Sequence, residues 1–389
     1  MTQRLYYTDS QLREFQASVL DCTEGGKRVY LDRTAFYPGS GGQPCDTGRL
    51  GGINVSEVVD EGQRIAHILT EPITGELVSG EVNWPRRFDH MQQHSGQHLL
   101  SAVLVDLLGH TTVAVHIGQD SSTIDLDTGQ LTREQLARVE ERANGIVTEN
   151  RPVSISFEDA ASVSKLRKAS DRVGTIRIIT IENLDRSACG GTHVRATGEI
   201  GSILIRKLER ARKGARVEFL CGMRAVRRTR ADAEVLSRLA TDFSASVDEL
   251  PHLAASQRAE LKQAGSARRQ LEAALHLYHA KELYAATAPN ASGIRQRLVR
   301  EKEGSLEDLR GLAQAFASLP RAVFIGAVET PPTVLLSASA DSGLDAGHVL
   351  KGVLQTVGGR GGGSAAMAQG LLGSQIQLES VLTSLGALN

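Results

Sequence analysis

Cysteine is scarce in this chain, with four among 389 residues, at Cys22, Cys45, Cys189 and Cys221. So few thiols, so widely spaced, exclude a disulfide framework, and Cys22, Cys45 and Cys221 read as small buried hydrophobes. Long apolar runs are missing as well, so no segment reads as a membrane span. The opening residues Met1 to Ser10 are polar and lack the apolar core of a signal peptide. A cytoplasmic protein with no membrane partner is expected. Neither sign of charge predominates: 44 Lys and Arg stand against 45 Asp and Glu, a net charge of −1. That balance excludes an indiscriminate polyanion binder. The charge is nonetheless uneven. Ten Lys and Arg fall between Arg206 and Arg230, opposed within that stretch only by Glu209 and Glu218. Such a run is usually a solvated face, but here it also suits a phosphate-binding surface.

The length exceeds what one core usually holds, and two to four domains are expected. We place them at 1–86, 87–224, 225–290 and 291–389. The fold class is α+β and multidomain. Ser18–Cys22 with Lys27–Leu31, and Ile53–Val59 with Arg64–Leu69, read as hairpins joined through glycine turns, which suggests a small N-terminal β-barrel. Arg87–Leu108 carries apolar residues at helical intervals and stops at Gly109. Thr111–Leu126 alternates like a strand or hairpin, and Thr132 with Gln135 forms a capping box opening a second helix. A strand at Arg177–Ile181, a polar turn at Asn183–Ala188, and strands at Ile203–Leu208 and Ala215–Leu220 complete a domain of helices on an antiparallel sheet. Ala225–Ala286 is alanine-rich and helical, with Ser246 and Glu249 restarting a helix, and reads as a helical hairpin arm. The last hundred residues read as an α/β domain with a glycine-rich loop, Gly358–Ser364, that could cradle phosphate. No Walker lysine follows it, so nucleotide hydrolysis is not expected.

Two short stretches carry the chemistry. His94-Ser95-Gly96-Gln97-His98 places two imidazoles four residues apart on a helix, so they face the same way. Cys189-Gly190-Gly191-Thr192-His193 offers a thiolate and an imidazole from a turn that glycine makes pliable. Three His and one Cys form a tetrahedral set, and by ligand softness zinc is the expected ion, one per chain. A His pair at helical spacing also arises by chance, so the set is specific only when both stretches are taken together. A filled four-ligand set suits a structural ion, and one displaced ligand suits a catalytic one. Ser95 stands where a zinc protease helix carries its glutamate. Upstream, Thr34-Ala35-Phe36-Tyr37-Pro38-Gly39-Ser40-Gly41-Gly42-Gln43-Pro44 could bring backbone N–H groups close to a ligand, or be a tight barrel turn.

These stretches, with Gly214–Gly222 and Gly358–Gln369, run across nearly the whole chain. Together they resemble the large form of the trans-editing alanyl-tRNA proteins (AlaX type), relatives of the editing and C-terminal parts of alanyl-tRNA synthetase. The resemblance implies an aminoacyl-tRNA deacylase that removes chiefly serine, and secondarily glycine, from mischarged tRNA(Ala). It implies His94, His98, Cys189 and His193 as zinc ligands, with Cys189 and His116 as candidate catalytic residues. His116 falls where synthetase relatives place a glutamine. Thr34, Gly41, Gly42 and Gln43 match substrate-binding positions, and the Gly190-Gly191 turn is a candidate oxyanion donor. Contacts to tRNA are expected from Arg210, Arg212, Lys213, Arg216 and Arg360, and a homodimer through the C-terminal half is possible. The barrel opens the chain directly, so a free-standing editor is expected. The final glycine loop also resembles a module that accompanies DHH phosphoesterases, but no Asp-His-His triplet is present. Two other readings fit the residues: a nonenzymatic zinc-stapled RNA-binding protein, and a zinc hydrolase of a small ester or amide.

Overall fold

The computed structural model describes residues 1–168, 173–211 and 214–386. Arg212 and Lys213 lie outside the described residues. The chain forms two compact units, Met1–Leu239 and Ala240–Asn389.

The first unit opens with a closed six-stranded barrel, in the order Glu14–Thr23, Arg28–Leu31, Ile65–Leu69, Ile53–Asp60, Gly48–Leu50, Leu77–Val82. Its inner face is built by period-two alternation, clearest in Leu77–Val82, where Val78, Gly80 and Val82 are buried and their neighbours exposed. Phe36, Leu31, Val29, Leu50 and Ile65 fill the interior. Helix α1 (Trp84–Leu108) starts at Asn83, whose side chain accepts the Arg86 N–H, and ends on Gly109 in the left-handed region.

Nearly every residue of α1 from His90 to Leu104 is buried. Its first turn is fastened to the barrel by Arg87, which is 0% exposed. The Arg87 guanidinium pairs with Asp46 and donates to the carbonyls of Ser10 (3.0 Å) and Ala35 (2.6 Å). Removing one partner of such a pair strands a buried charge, at a cost of about 3–5 kcal/mol. The segment that carries Gln43 is thereby held in register with the helix that carries the two histidines.

Beyond α1 lie two antiparallel sheets. One runs Ile203–Ala211, Gly214–Cys221, Ser122–Leu126, Thr112–Ile117, and the other Val153–Asp159, Thr175–Ile181, Asp185–Ala188. Helix α2 (Arg133–Glu149) is opened by the Thr132/Gln135 capping box. A shared core of Leu99, Leu100, Val103, Val139, Ile146, Val217 and Phe219 binds helices to sheet. The expected polar turn at Asn183–Ala188 is a strand from Asp185 onward, paired with Ile178–Ile181. It escapes an apolar-alternation reading because the side chains it buries are Asp185 and Ser187. Helix α3 (Met223–Asp242) follows.

The second unit contains α4 (Leu250–Ala286), preceded by the Ser246/Glu249 capping box. Its five-stranded sheet runs Arg295–Glu303, Ala322–Thr330, Thr333–Ala338, Met367–Leu371, Arg360–Gly363. Helices α5 (Leu306–Ala317), α6 (Ala346–Val357) and α7 (Gln375–Gly386) contribute to its two apolar cores. The expected glycine loop is different in the structure. Gly358 caps α6 in the left-handed region, and Arg360–Gly363 is an edge strand paired with Met367–Leu371. Packing accounts for the glycine there, since a Cβ on Gly361 would sit 2.2 Å from the Gln369 carbonyl oxygen and 2.6 Å from Leu354 Cδ1. Among the described residues, no helix is long and apolar enough to cross a membrane.

Candidate metal centre

The two chemical stretches converge. His94, His98, Cys189 and His193 present ligand atoms that all lie within 4.8 Å of one another. Cys189 Sγ is 3.4 Å from His94 Nε2 and 3.4 Å from His193 Nε2. A tetrahedral zinc with nitrogen at about 2.0–2.1 Å and sulfur at about 2.3 Å would hold N and S roughly 3.5 Å apart. The donor set therefore fits zinc in kind and spacing.

Each imidazole is oriented from outside. The His94 Nδ1–H donates to Gln43 Oε1 at 2.8 Å, His98 Nδ1–H to Asp185 Oδ2 at 3.1 Å, and His193 Nδ1 bonds Ser95 Oγ at 3.1 Å. With Nδ1 engaged outward, Nε2 is left for a metal. Gln43 also ties the turn to the barrel, donating from Nε2 to Thr192 Oγ1 (2.7 Å) and accepting the Thr192 N–H (3.1 Å). Ser95 accepts the Val194 N–H at 3.2 Å. Glycine at 191 is obligatory, because a Cβ there would meet His94 Cε1 at 2.2 Å.

Arg177 holds the turn from beneath. It is 4% exposed and donates to the carbonyls of Tyr7 (2.8 Å), Cys189 (2.8 Å) and Gly191 (2.9 Å). Electrostatics follow from this crowding. Burial disfavours the Cys189 thiolate, but His94 and His193 beside it bring the thiol well below its ordinary range. Burial also opposes charge on His98, yet the bonds to Asp185 and Cys189 prevail and raise it to about 9. Burial and the neighbouring His94 lower His193 to about 3. Asp185 is held below the usual carboxylate range: burial opposes this, but His98 and Arg167 outweigh it.

The remaining expected site residues are placed as follows. Gln43 belongs to the site, but its carboxamide is spent on His94 and Thr192. Gly41 and Gly42 are exposed with φ of 58° and 86°, and the Gly42 carbonyl accepts the Ile117 N–H at 3.1 Å. Thr34 is 0% exposed inside the barrel, its hydroxyl bonded to His67 Nε2 (2.9 Å) and accepting the Phe36 N–H (3.1 Å). With His67 Nδ1 on the Val29 carbonyl, the Thr34 hydroxyl donates to His67 and accepts once, which leaves it one acceptor lone pair. His116 is exposed on Thr112–Ile117, opposite Thr123, and is not part of the four-ligand cluster. In the Gly190-Gly191 turn, the Gly191 N–H points to Cys189 Sγ at 3.4 Å.

Four of the ten charges of the basic stretch are held in close ion pairs, two of them with acids distant in sequence. Arg216 pairs with Asp125 at 2.6 Å, Arg224 with Asp89 at 2.6 Å, Arg206 with Glu218 at 2.9 Å, and Arg228 with Asp232. Arg210 and Arg360 are exposed and make no ion pair among the described residues. Sequence reasoning missed Asp185, Arg177 and the orienting role of Ser95. The buried carboxylate two residues before Ser187 offered a signal only once its strand was known.

The site thus lies in a domain that follows a closed barrel and brings three histidines and a cysteine together. A family model, "Threonyl and Alanyl tRNA synthetase second additional domain", matches residues 176–217. The alanyl-tRNA editing protein AlaX-M of Methanosarcina acetivorans is 37% identical over 240 residues, 56% of this chain and 97% of that protein. The chain belongs to the alanyl-tRNA editing protein family. AlaX-L of Pyrococcus horikoshii is 35% identical over 267 residues, 65% of this chain and 64% of that one. Alanine–tRNA ligase of Pyrococcus abyssi is 32% identical over 393 residues, 95% of this chain but only 42% of the ligase. The chain thus spans less than half the length of the ligases it matches.

Proposed function

We propose that this chain hydrolyses, in trans, the ester joining a wrong amino acid to tRNA(Ala), with serine the main amino acid released and glycine a second. The observation that supports this most strongly is the convergence of His94, His98, Cys189 and His193, in a chain to which an editing protein is 37% identical along 97% of its own length. A zinc ion held by these four side chains would supply a Lewis acid that orients the aminoacyl end and polarises water. Gln43, Asp185 and Ser95 fix the imidazoles so that the ligand set is assembled before substrate arrives. A cleft of ≈ 260 Å³ opens beside His98, between Thr112–Val115 and Ser187–Ala188, and offers the ester a place next to the ligands. Gly190 supplies the N–H of the turn that has no bond among the described residues, and it is the backbone donor available to a developing oxyanion.

Arg210, Arg212, Lys213, Arg216 and Arg360 form the proposed tRNA-binding set. Within it Arg210 and Arg360 carry most weight, since the Arg216 charge is already paired. The second unit serves as an RNA-holding or dimerising module. The test is a comparison of Ser-tRNA(Ala), Gly-tRNA(Ala), Ala-tRNA(Ala) and Ser-tRNA(Ser). Release from the first two, with the third and fourth spared, is expected. Equal release from all four would overturn the reading.

A further inference from the structure

Charge in the cleft beside His98 is of one sign. Besides His98, the ionisable side chains that line it are Arg167 and Lys168, and no carboxylate does. Arg167 is fixed along one edge: its Nε–H donates to Asp185 Oδ1 at 2.7 Å and its Nη2–H to Ser187 Oγ at 3.1 Å. The Asp185 side chain is 1% exposed against 16% for Arg167, so the carboxylate lies sealed behind the guanidinium. Arg167 Nη1 makes no hydrogen bond among the described residues, and the exposed Lys168 makes no ion pair among them. A second cleft, of ≈ 540 Å³, shares Val113 with the first and carries Arg210 and Arg216. Val113 is 55% exposed on the edge strand Thr112–Ile117. The two clefts thus form one groove that leads from a metal ligand to the unpaired Arg210.

We propose that Lys168 and Arg167 bind the phosphodiester that precedes the terminal adenosine, and so seat the last ribose and its ester against the metal ligands. The proposal rests on the editing function above and adds to it which group of the substrate anchors the reacting end. On an aminoacylated tRNA the ester and the 5′-phosphate of the terminal nucleotide are one sugar apart. The amino acid still on its ester carries an ammonium group, which two cations repel. The phosphate is therefore the anion that the substrate brings to this place. A guanidinium held on one edge offers a directed N–H to a phosphate oxygen, and the ammonium adds an unpaired charge. Such contacts set position and register rather than identity. The phosphate takes no part in bond breaking, so its binding is felt in KM and not in kcat. The groove past Val113 then takes the preceding nucleotides toward Arg210.

The experiment measures binding of two non-hydrolysable analogues, 3′-serylamino-3′-deoxyadenosine and its 5′-methylphosphate diester. Wild type, Lys168→Met and Lys168→Arg are compared, with zinc per chain checked in each. Wild type should bind the diester about tenfold more tightly, the effect of one exposed cation and one charged hydrogen bond on the same phosphate. Lys168→Met should reduce that preference to about twofold by weakening the diester alone, and Lys168→Arg should restore it. On Ser-tRNA(Ala), Lys168→Met should raise KM and leave kcat and zinc content unchanged. Equal wild-type affinity for the two analogues, or an equal loss on both in Lys168→Met, overturns the proposal. So does displacement of the analogues by free serine in wild type but not in Lys168→Met, which would give these cations to the carboxylate of the released amino acid. Hydrolysis of Ser-tRNA(Ala) with equal analogue affinities sinks the proposal alone. If wild type releases no amino acid from any aminoacyl-tRNA, the editing reading fails and the proposal with it.

Discussion

Asp185→Asn should weaken metal binding by close to one hundredfold while leaving the fold intact. The carboxylate of Asp185 is 4% exposed and receives three donors: His98 Nδ1–H at 3.1 Å, Arg167 Nε–H at 2.7 Å and the Ser187 hydroxyl at 2.9 Å. An amide accepts through one oxygen only, so one of these donors would face an NH2 group. Outer partners of metal-bound histidine are worth about 10–100-fold in metal affinity, or about 1.4–2.7 kcal/mol. A charged, buried acceptor belongs at the upper end of that range. Ser95→Ala removes only a neutral hydroxyl from His193 and should cost nearer tenfold. The assay is competition for zinc against a chelator of known affinity, with circular dichroism confirming the fold.

The pH must be chosen with care. Asp185 and Cys189 raise His98 to about 9, against the opposing effect of burial. A metal must therefore displace a proton at neutral pH, and wild-type affinity should rise about tenfold per pH unit up to about pH 9. In Asp185→Asn that rise should stop at lower pH, so the full loss is read above pH 9. Affinity within twofold of wild type there, or a larger loss in Ser95→Ala, would refute the reasoning.

Three further outcomes follow from the geometry. Gly191→Ala should abolish zinc retention in a folded protein, because the added Cβ falls 2.2 Å from His94 Cε1; normal zinc content would show that the turn can move aside. His67 is lowered to about 4 by burial in the barrel, against its bond to the Val29 carbonyl. A folded-state value below the unfolded 6.5 means that stability is complete above pH 6.5. About 3 kcal/mol is lost as pH falls from there to about 4. NMR of the ring should show the neutral Nδ1–H tautomer still present at pH 5, and an imidazolium at that pH would contradict the packing. Affinity for tRNA should fall with added salt less steeply than ten basic residues would suggest, since several are already paired. A slope near ten would show those pairs opening on the RNA.

The sequence disclosed the parts of this site that obey local rules. The Thr132/Gln135 and Ser246/Glu249 capping boxes stand where expected. The barrel hairpins follow from alternation, and His94 and His98 meet the Cys189–His193 turn as the ligand chemistry requires. What stayed hidden depends on partners distant in sequence. The bond that orients His94 comes from Gln43, 51 residues away in sequence, so no local pattern announces it. Asp185 sits in a strand whose buried face is polar, so no hydrophobic period betrays it. The stretch from Arg206 to Arg230 looks unopposed because Asp89 and Asp125 reach it only through α1 and the sheet. The glycines at 361–363 read as a phosphate loop but form an edge strand in which Gly361 packs closely on Leu354 and Gly363 on Ala368.

The most direct measurement is zinc per chain and Ser-tRNA(Ala) deacylation in wild type and Cys189→Ala, taken on the same folded preparations. The account predicts one zinc and active hydrolysis in the first, with both lost together in the second. A folded, zinc-free Cys189→Ala protein that still released serine at the wild-type rate would contradict it.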